Sequence, residues 1–424
     1  MDILLVNTWE KHLNALNQEE ATKFFNIGKK TGNNSSIKME NIKDRNYLIS
    51  MNLSWFNVIS KKYRSDVITN PIVAFFNIGP INPLDVVSSK YGAGSEIALV
   101  RIAEELAKRD YNVYVFHAGD YKNLPCKNPQ YLPIKSENES EESGIGGPSF
   151  IRSYEGLVET GEKRIDHLIL WRQRNDMNFI FGNQAKKIYL GCHDFAEVNL
   201  SCKLDALVVL SECHKKHFEK KLPFDKYIIG CNGTMYKPGI KLRKREPLRC
   251  CYASSYARGL KDLLEMWPKI IKSHPKATLH IYYGRETFGA MNDNDMNDVV
   301  KLIESSSGVF EHGKVSHEEL VLCLSQCSFL LYPYFGYSET FSITTATSMQ
   351  VKCIPIVKKR DALAEIMSIQ EPSLLSNEEF CDYTIDLMNK DEYFLEEYRQ
   401  KCSDFASKYT HERATDFWEK AFSD

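Results

Sequence analysis

Residues 329–357, FLLYPYFGYSETFSITTATSMQVKCIPIV, hold the densest set of side chains that could do chemistry. Glu339 lies among neutral residues in this stretch, and a carboxylate there can accept hydrogen bonds from sugar hydroxyls. Backbone N–H groups near Phe341, Ser342 and Ile343 would form a phosphate site if a helix begins there. The alternative interpretation of Glu339 is an ordinary solvated loop glutamate.

A strand, a loop, a helix and a second strand must position these groups. Residues 329–332 are a short apolar and aromatic run, typical of a buried parallel strand, and Pro333 with Gly336 indicates the loop that follows. Small and β-branched residues from Thr340 onward predict a helix, and residues 354–357 predict the next strand. This βαβ order places the loop at the carboxyl end of a strand, where open α/β sheets bind ligands.

An earlier βαβ pattern carries a second set of candidate residues. The run IVAFF at 72–76 predicts a buried strand, and a loop with Gly92 and Gly94 precedes a helical pattern that starts at Glu96. The two glycines let the backbone approach an anion or a sugar. A dinucleotide-binding dehydrogenase would carry a third glycine where Ile97 stands, so we disfavour an oxidoreductase.

His193 and Asp194 follow a predicted strand at 187–190, again at a carboxyl end. The pair has the residue types of general acid–base catalysis. A loop histidine capped by its neighbour is the other interpretation, and the pair alone does not decide between them. Residues 293–295 have the D-x-D spacing of some metal sites, but they lie in a polar helical pattern without a preceding strand. We therefore expect no metal there.

Together these segments resemble the retaining GT-B glycosyltransferases of family four, over about residues 71–424. Strand, loop, Glu, Phe, helix and Pro occur in the family's order, and Glu339, Phe341 and Pro355 match it. The family carries a second Glu eight positions after the first, and here that position is Thr347. The motifs are also similar in style to transferases of large DNA viruses.

The resemblance implies catalytic roles for three residues. Arg258, which Gly259 follows, would neutralise the diphosphate of a nucleotide-sugar donor. Glu339 would hold hydroxyls of the donor sugar, and His193 would line the reacting centre. No metal and no other cofactor is expected, because the nucleotide sugar is itself a co-substrate.

The same resemblance implies the groups that bind the donor. The helix start at Ser342 and Ile343 would share the diphosphate with Arg258. Gly92 and Gly94 would admit the diphosphate from the other side. Thr347 would stand beside the donor ribose, where its short neutral hydroxyl replaces the family's glutamate.

The implied fold is α/β with GT-B architecture, in which two Rossmann-like domains with parallel sheets face a central cleft. We assign residues 1–70 to an extension of unknown role and residues 71–236 to an acceptor-side domain. A basic linker starts the nucleotide-sugar donor domain at 237–404. A terminal helix at 405–424 would cross back onto the first domain.

The expected activity is transfer of a sugar from a nucleotide sugar to a hydroxyl of a glycan, protein or lipid, with retained anomeric configuration. Thr347 supports an alternative, a catalytically weak or inactive relative kept as a binding or scaffold protein. Assays of donor hydrolysis or transfer separate the two hypotheses.

Composition sets the remaining bounds. The net charge of −2 gives no general reason to expect nucleic acid as a partner. No apolar run reaches about eighteen residues, so we expect no membrane span, although peripheral membrane contact stays open. The 12 cysteines include no C-x-x-C pair. We therefore expect reduced thiols and a cytoplasmic location, in the host cytoplasm if the protein is viral.

Overall fold

The computed structural model describes residues 70–77, 94–117, 128–133, 165–172, 185–195, 204–221, 226–285, 292–334, 336 and 339–423. The predicted extension at 1–70 lies outside these residues apart from Asn70, and so does Gly92. The chain divides into two compact units. One comprises Met1–Asn82, Ala103–Cys192 and Ala196–Val208, and the other comprises Pro83–Ile102, His193–Phe195 and Val209–Asp424.

Seven strands form the first sheet, in the order β3-β2-β1-β4-β5-β6-β7. They are β1 (Ile72–Asn77), β2 (Asn112–His117), β3 (Gln130–Pro133), β4 (Ile165–Trp171), β5 (Ala185–Gly191), β6 (Ala206–Val209) and β7 (Tyr227–Ile229). The pairings from β3 through β6 are parallel. Continuous apolar runs suit such strands, because a parallel sheet is buried on both faces.

Five strands form the second sheet, in the order β10-β9-β8-β11-β12, and all four pairings are parallel. They are β8 (Arg249–Ala253), β9 (Thr278–Tyr282), β10 (Val309–Gly313), β11 (Phe329–Tyr332) and β12 (Ile354–Val357). The strands predicted at 329–332 and 354–357 are confirmed. Two parallel-sheet α/β domains are therefore present, as predicted. The expected domain boundary at 236–237 stays a prediction.

Helices connect and flank these strands. They are α1 (Gly94–Lys108), α2 (Glu212–Glu219), α3 (Leu260–Ser273), α4 (Asp293–Ser305), α5 (His317–Gln326), α6 (Ile343–Gln350), α7 (Ala362–Ile366), α8 (Asn377–Met388), α9 (Glu392–Ala406) and α10 (His411–Ser423). The helix predicted from Thr340 onward is α6, which starts at Ile343 because Ser342 caps it. None of the helices described is long and apolar enough to cross a membrane.

The basic linker is fixed to the second sheet. The Arg245 guanidinium donates to the carbonyl oxygen of Cys327 at 3.2 Å and to that of Val351 at 2.8 Å. The amide of Glu246 donates to the carbonyl oxygen of Gln326 at 2.9 Å. Because these carbonyls precede β11 and β12, the linker runs along the edge where both strands begin.

A close contact joins the turn after β7 to the last helix. Gly233 has a φ of 72°, and a Cβ built on it would lie 2.3 Å from Nδ1 of His411. His411 begins α10, and burial lowers the pKa of its imidazole to about 4. Only a residue without a side chain fits this turn against a buried ring.

We predict that Gly233→Ala lowers the free energy of unfolding by about 3 kcal/mol, because a clash with His411 adds to the left-handed backbone strain. Gly239→Ala is the matched control, since Gly239 has a φ of 92° and its Cβ would meet nothing within 4 Å. That variant should lose only about 1 kcal/mol. Chemical denaturation measures both, and equal losses would contradict the contact with His411.

Candidate functional site

The candidate site lies where the strand order of the second sheet reverses, between β8 and β11. Such a switch point opens a crevice at the carboxyl ends of the strands. Arg258 follows β8, and Glu339 follows β11. Nη1 of Arg258 and Oε1 of Glu339 form an ion pair. The structure thus brings together two residues that the sequence placed 81 positions apart.

The two partners of this ion pair differ in exposure. The Arg258 side chain is 46% exposed, whereas that of Glu339 is 11% exposed. Burial acts to lower the pKa of Arg258, but Glu339 together with Tyr332 and Tyr334 outweighs it and raises that pKa above its ordinary value. The guanidinium carbon also lies 5.6 Å from the ring centroid of Tyr334, a cation–π distance. Arg258 is therefore a permanent cation whose half-exposed end can reach an anion.

The loop that carries Arg258 depends on a glycine and a tyrosine. Gly259 has a φ of 85°, and a Cβ on it would lie 3.2 Å from the backbone N and Cα of Tyr334. The Tyr252 hydroxyl lies 2.6 Å from the carbonyl oxygen of Ser255 and 2.9 Å from that of Arg258. Close packing and this hydroxyl donor fix the path of the loop into α3.

Glu339 is oriented by a buried tyrosine. The Tyr332 hydroxyl donates to Oε1 of Glu339 at 2.8 Å, so Oε1 receives both this bond and the ion pair with Arg258. The carbonyl oxygen of Glu339 accepts from the amide of Ala362 at 3.3 Å. Within the part of the chain that the structure describes, no hydrogen bond to Oε2 is found. The carboxylate is thus anchored through one oxygen and can offer the other to a ligand.

The start of α6 is the third component of the site. The Ser342 hydroxyl caps the helix by accepting from the amide of Thr345, and Ser342 and Ile343 are each 8% exposed. A Cβ built on Gly94, the first residue of α1, would lie 3.1 Å from Cδ1 of Ile343. Two helix N-termini therefore meet here, and both carry partial positive charge.

Thr347 does not present its side chain to this site. It is fully buried, its hydroxyl donates to the carbonyl oxygen of Ile343 at 2.7 Å, and its Oγ1 accepts from the amide of Met235 at 3.0 Å. The hydroxyl thus connects α6 to the segment after β7. The donor-ribose contact predicted for Thr347 has no support in this geometry, because its polar atom is satisfied inside the protein.

His193 lies close to the Glu339 loop through its backbone. Its carbonyl oxygen accepts from Oγ1 of Thr340 at 3.0 Å, and Thr340 adjoins Glu339 in sequence. The next carbonyl, that of Asp194, accepts from Nε2 of His214 at 2.9 Å. The backbone of His193 therefore contacts the residue that follows Glu339 in sequence. The role of the His193 imidazole stays a prediction.

His214 is a supporting residue that the sequence pattern did not single out. It is fully buried, and its Nδ1 accepts from the amide of Leu210 at 3.3 Å. The ring centroid of Phe195 lies 4.9 Å from that of His214. Burial lowers the pKa of His214 to about 4, so its imidazole is neutral and keeps a proton for the carbonyl of Asp194. A buried, doubly hydrogen-bonded ring thus fixes the loop that contains His193.

The D-x-D residues lie in the first turn of α4. Asn292 caps this helix and accepts from the amide of Asp295 at 2.9 Å. Two carboxylates at a helix N-terminus have an ordinary structural explanation, since they offset the helix dipole. Among the described residues, no group of three or more His, Cys, Asp or Glu side chains is placed to hold a metal ion.

No protein-family model and no curated protein sequence matches this chain. Solved structures resemble it at low identity. Sucrose-phosphate synthase from Thermosynechococcus elongatus has a TM-score of 0.61 at 13% identity, over 84% of this chain and 98% of that one. WaaG, a glycosyltransferase involved in lipopolysaccharide biosynthesis, has a TM-score of 0.56 at 12% identity, over 82% and 98%.

A third similar structure was determined with ligands. The pneumococcal O-GlcNAc transferase GtfA, in complex with UDP and GlcNAc, has a TM-score of 0.56 at 11% identity, over 84% of this chain and 99% of that one. Identities this low establish the fold alone. The fold is consistent with the GT-B architecture that the sequence predicted.

We predict that His214 makes stability depend on pH. Its pKa is about 4 in the native protein and about 6.5 in an unfolded chain, so the unfolded state binds more protons between these values. The contribution of neutral His214 to the free energy of unfolding is fully present above about pH 6.5 and is lost as the pH falls toward 4. His214→Phe should therefore reduce the slope of unfolding free energy against pH by up to about 1.4 kcal/mol per unit. Denaturation at several pH values measures this slope, and an unchanged slope would contradict a buried neutral His214.

Proposed function

We propose that this chain is a retaining glycosyltransferase that moves a sugar from a nucleotide sugar to an acceptor hydroxyl without a metal. The observation that carries the proposal is the contact of Arg258 with Glu339 at the switch point of the second sheet. A guanidinium suits a diphosphate, and a carboxylate suits sugar hydroxyls. A nucleotide sugar carries a diphosphate next to sugar hydroxyls, so one ligand would bind both Arg258 and Glu339.

The difficult step is departure of the nucleoside diphosphate as the sugar gains oxocarbenium-like charge. Arg258 and the first N–H groups of α6, at Ser342 and Ile343, would stabilise the negative charge that develops on the diphosphate. The N–H groups at the start of α6 are fixed before the donor arrives, whereas Arg258 must exchange Glu339 for the diphosphate. Because these groups are cationic or dipolar, they would meet the diphosphate charge without a metal ion.

The sugar would be held by Glu339 and approached near His193. Oε2 of Glu339 would accept hydrogen bonds from sugar hydroxyls while Oε1 stays bound to the protein. The bond from Thr340 to the carbonyl of His193 supports a place for that residue beside the sugar. In the retaining mechanism we propose, the acceptor hydroxyl attacks the face from which the diphosphate leaves and passes its proton to that diphosphate, so no enzyme nucleophile is required.

The comparisons support the class of donor by analogy. GtfA, which shares the fold, was determined with UDP and GlcNAc. Fold likeness is weaker support than a site, because one fold hosts many activities. The donor proposal for this chain therefore rests on Arg258 and Glu339, and UDP-sugars are one class to be tested among several.

A second candidate function is favoured by Thr347. Its buried hydroxyl replaces a glutamate of the resembling family and leaves the ribose without that acidic partner. A chain with weaker donor binding could act as a catalytically inactive binding protein. Incubation with each donor separates the two, since only an enzyme consumes the nucleotide sugar.

We expect one member of a panel of UDP-, GDP- and ADP-sugars to raise the melting temperature of the protein. A ligand that binds only the folded state adds about 2.7 kcal/mol at a hundredfold excess over its Kd. Arg258→Ala should abolish most of this shift, because the diphosphate loses its cation. Arg243→Ala is the matched control, since Arg243 is a 39% exposed arginine paired with Glu319 at 2.7 Å.

Two outcomes would contradict the proposal. Wild-type protein that binds none of the donors has no nucleotide-sugar site. An Arg258→Ala variant that binds the donor as tightly as the Arg243→Ala variant would show that Arg258 does not face the diphosphate.

We also predict opposite effects of Glu339→Gln on two related ligands. The free nucleoside diphosphate should bind several-fold more tightly, because the variant removes a negative charge that now neutralises Arg258. The nucleotide sugar should bind more weakly, because an amide is a poorer acceptor for sugar hydroxyls than a carboxylate. Calorimetric titration measures both affinities, and a change of the same sign for both ligands would contradict the assigned roles.

A further inference from the structure

We infer that Tyr332 is a positioning residue for the donor sugar and acts through Glu339. This role rests on the proposed function, because it requires that Glu339 hold the sugar. The Tyr332 hydroxyl donates to Oε1 of Glu339 at 2.8 Å, across seven positions of sequence. Tyr332 itself would not touch the donor.

The position of Tyr332 is set by a rigid element. It is the last residue of β11, it pairs in register with Val357 of β12, and it is 4% exposed. Its ring centroid lies 5.9 Å from that of Tyr334 and 6.3 Å from that of Tyr252. A hydroxyl fixed by strand pairing and ring packing is a more precise anchor than a loop residue.

The hydroxyl matters most once a donor binds. In the structure, Oε1 of Glu339 is shared by Arg258 and Tyr332. When the diphosphate draws Arg258 toward it, Tyr332 is the one remaining side chain, among the described residues, that donates to Oε1. Tyr332 would then keep the carboxylate turned so that Oε2 faces the sugar.

Tyr252, on the neighbouring strand β8, provides an internal comparison. Its hydroxyl supports the carbonyls of Ser255 and Arg258, which belong to the phosphate side of the site. Burial raises the pKa of Tyr252 and of Tyr332 well above the usual value, so both hydroxyls keep their protons and remain donors. Tyr252 thus supports the phosphate side alone, whereas Tyr332 donates to Glu339 and also contacts Arg258.

The test compares affinity for a nucleoside diphosphate with affinity for its sugar ester, by calorimetric titration with UDP and UDP-glucose, GDP and GDP-mannose, and ADP and ADP-glucose. Tyr332→Phe keeps the ring and removes the hydroxyl. We expect about tenfold weaker binding of the nucleotide sugar, the order of one hydrogen bond to a charged group, and a smaller change in binding of the diphosphate. If this variant fails to fold, Tyr332→Met removes the hydroxyl with a more adaptable side chain and is interpreted in the same way.

Three variants control this comparison. Tyr252→Phe should weaken both ligands to the same extent, because it loosens the Arg258 loop. Tyr189→Phe should leave the ratio of the two affinities unchanged. The Tyr189 hydroxyl lies 3.3 Å from Nδ1 of His167, and both residues belong to the first sheet, whereas the site lies at the second. In Glu339→Gln protein, adding Tyr332→Phe should weaken nucleotide-sugar binding by a smaller factor than it does in wild-type protein.

Each outcome has one meaning. A selective loss of nucleotide-sugar binding in Tyr332→Phe, absent from the Tyr189→Phe control, supports the positioning role. Equal weakening of nucleotide-sugar and diphosphate binding, or no weakening of either, overturns that role. The proposed function still stands in that case if wild-type protein binds a donor. Failure of the wild-type protein to bind any of the donors overturns both.

Discussion

The ion pair between Arg258 and Glu339 is the contact on which the candidate site depends. Parallel strands β8 and β11 end side by side, and each sends one charged residue into the same crevice. The carboxylate already neutralises the cation, so a bare anion must compete with Glu339 for Arg258. A ligand that also brings hydroxyl donors for Glu339 loses less binding free energy in this exchange, because Glu339 gains new partners when Arg258 leaves it. Under the proposed function, this exchange would favour a diphosphate joined to a sugar over a bare diphosphate.

Several parts of this arrangement could be predicted from the sequence. Short apolar runs indicate the parallel strands, and the loop that carries Glu339 follows one of them, at an end where ligands bind. The place of Arg258 beside the same ligand was implied by the family resemblance. The supports of these residues were missed. The hydrogen bonds of Tyr332 and His214 depend on how a loop folds back, and residue periodicity carries no information about that path. A buried Tyr at a strand end is the one signal that could have pointed to Glu339.

Thr347 illustrates the opposite failure, in which a sequence position suggests a role that packing removes. It stands where the resembling family has an acid, yet α6 is buried around it and its hydroxyl bonds to Ile343 and Met235. A charged side chain at such a position would need a partner or a ligand to offset its burial. The hydroxyl of Thr347 instead finds both of its hydrogen-bond partners inside the protein. Under the proposed function, donor affinity must therefore come from Arg258, Glu339 and the start of α6.

A crystal structure with a bound, unreacted nucleotide sugar would show whether Arg258 and Glu339 hold the donor. We predict the diphosphate within hydrogen-bond distance of the Arg258 guanidinium, with sugar hydroxyls on Oε2 of Glu339 and the Tyr332 hydroxyl still on Oε1. A donor bound elsewhere, with the ion pair between Arg258 and Glu339 intact, would contradict this prediction.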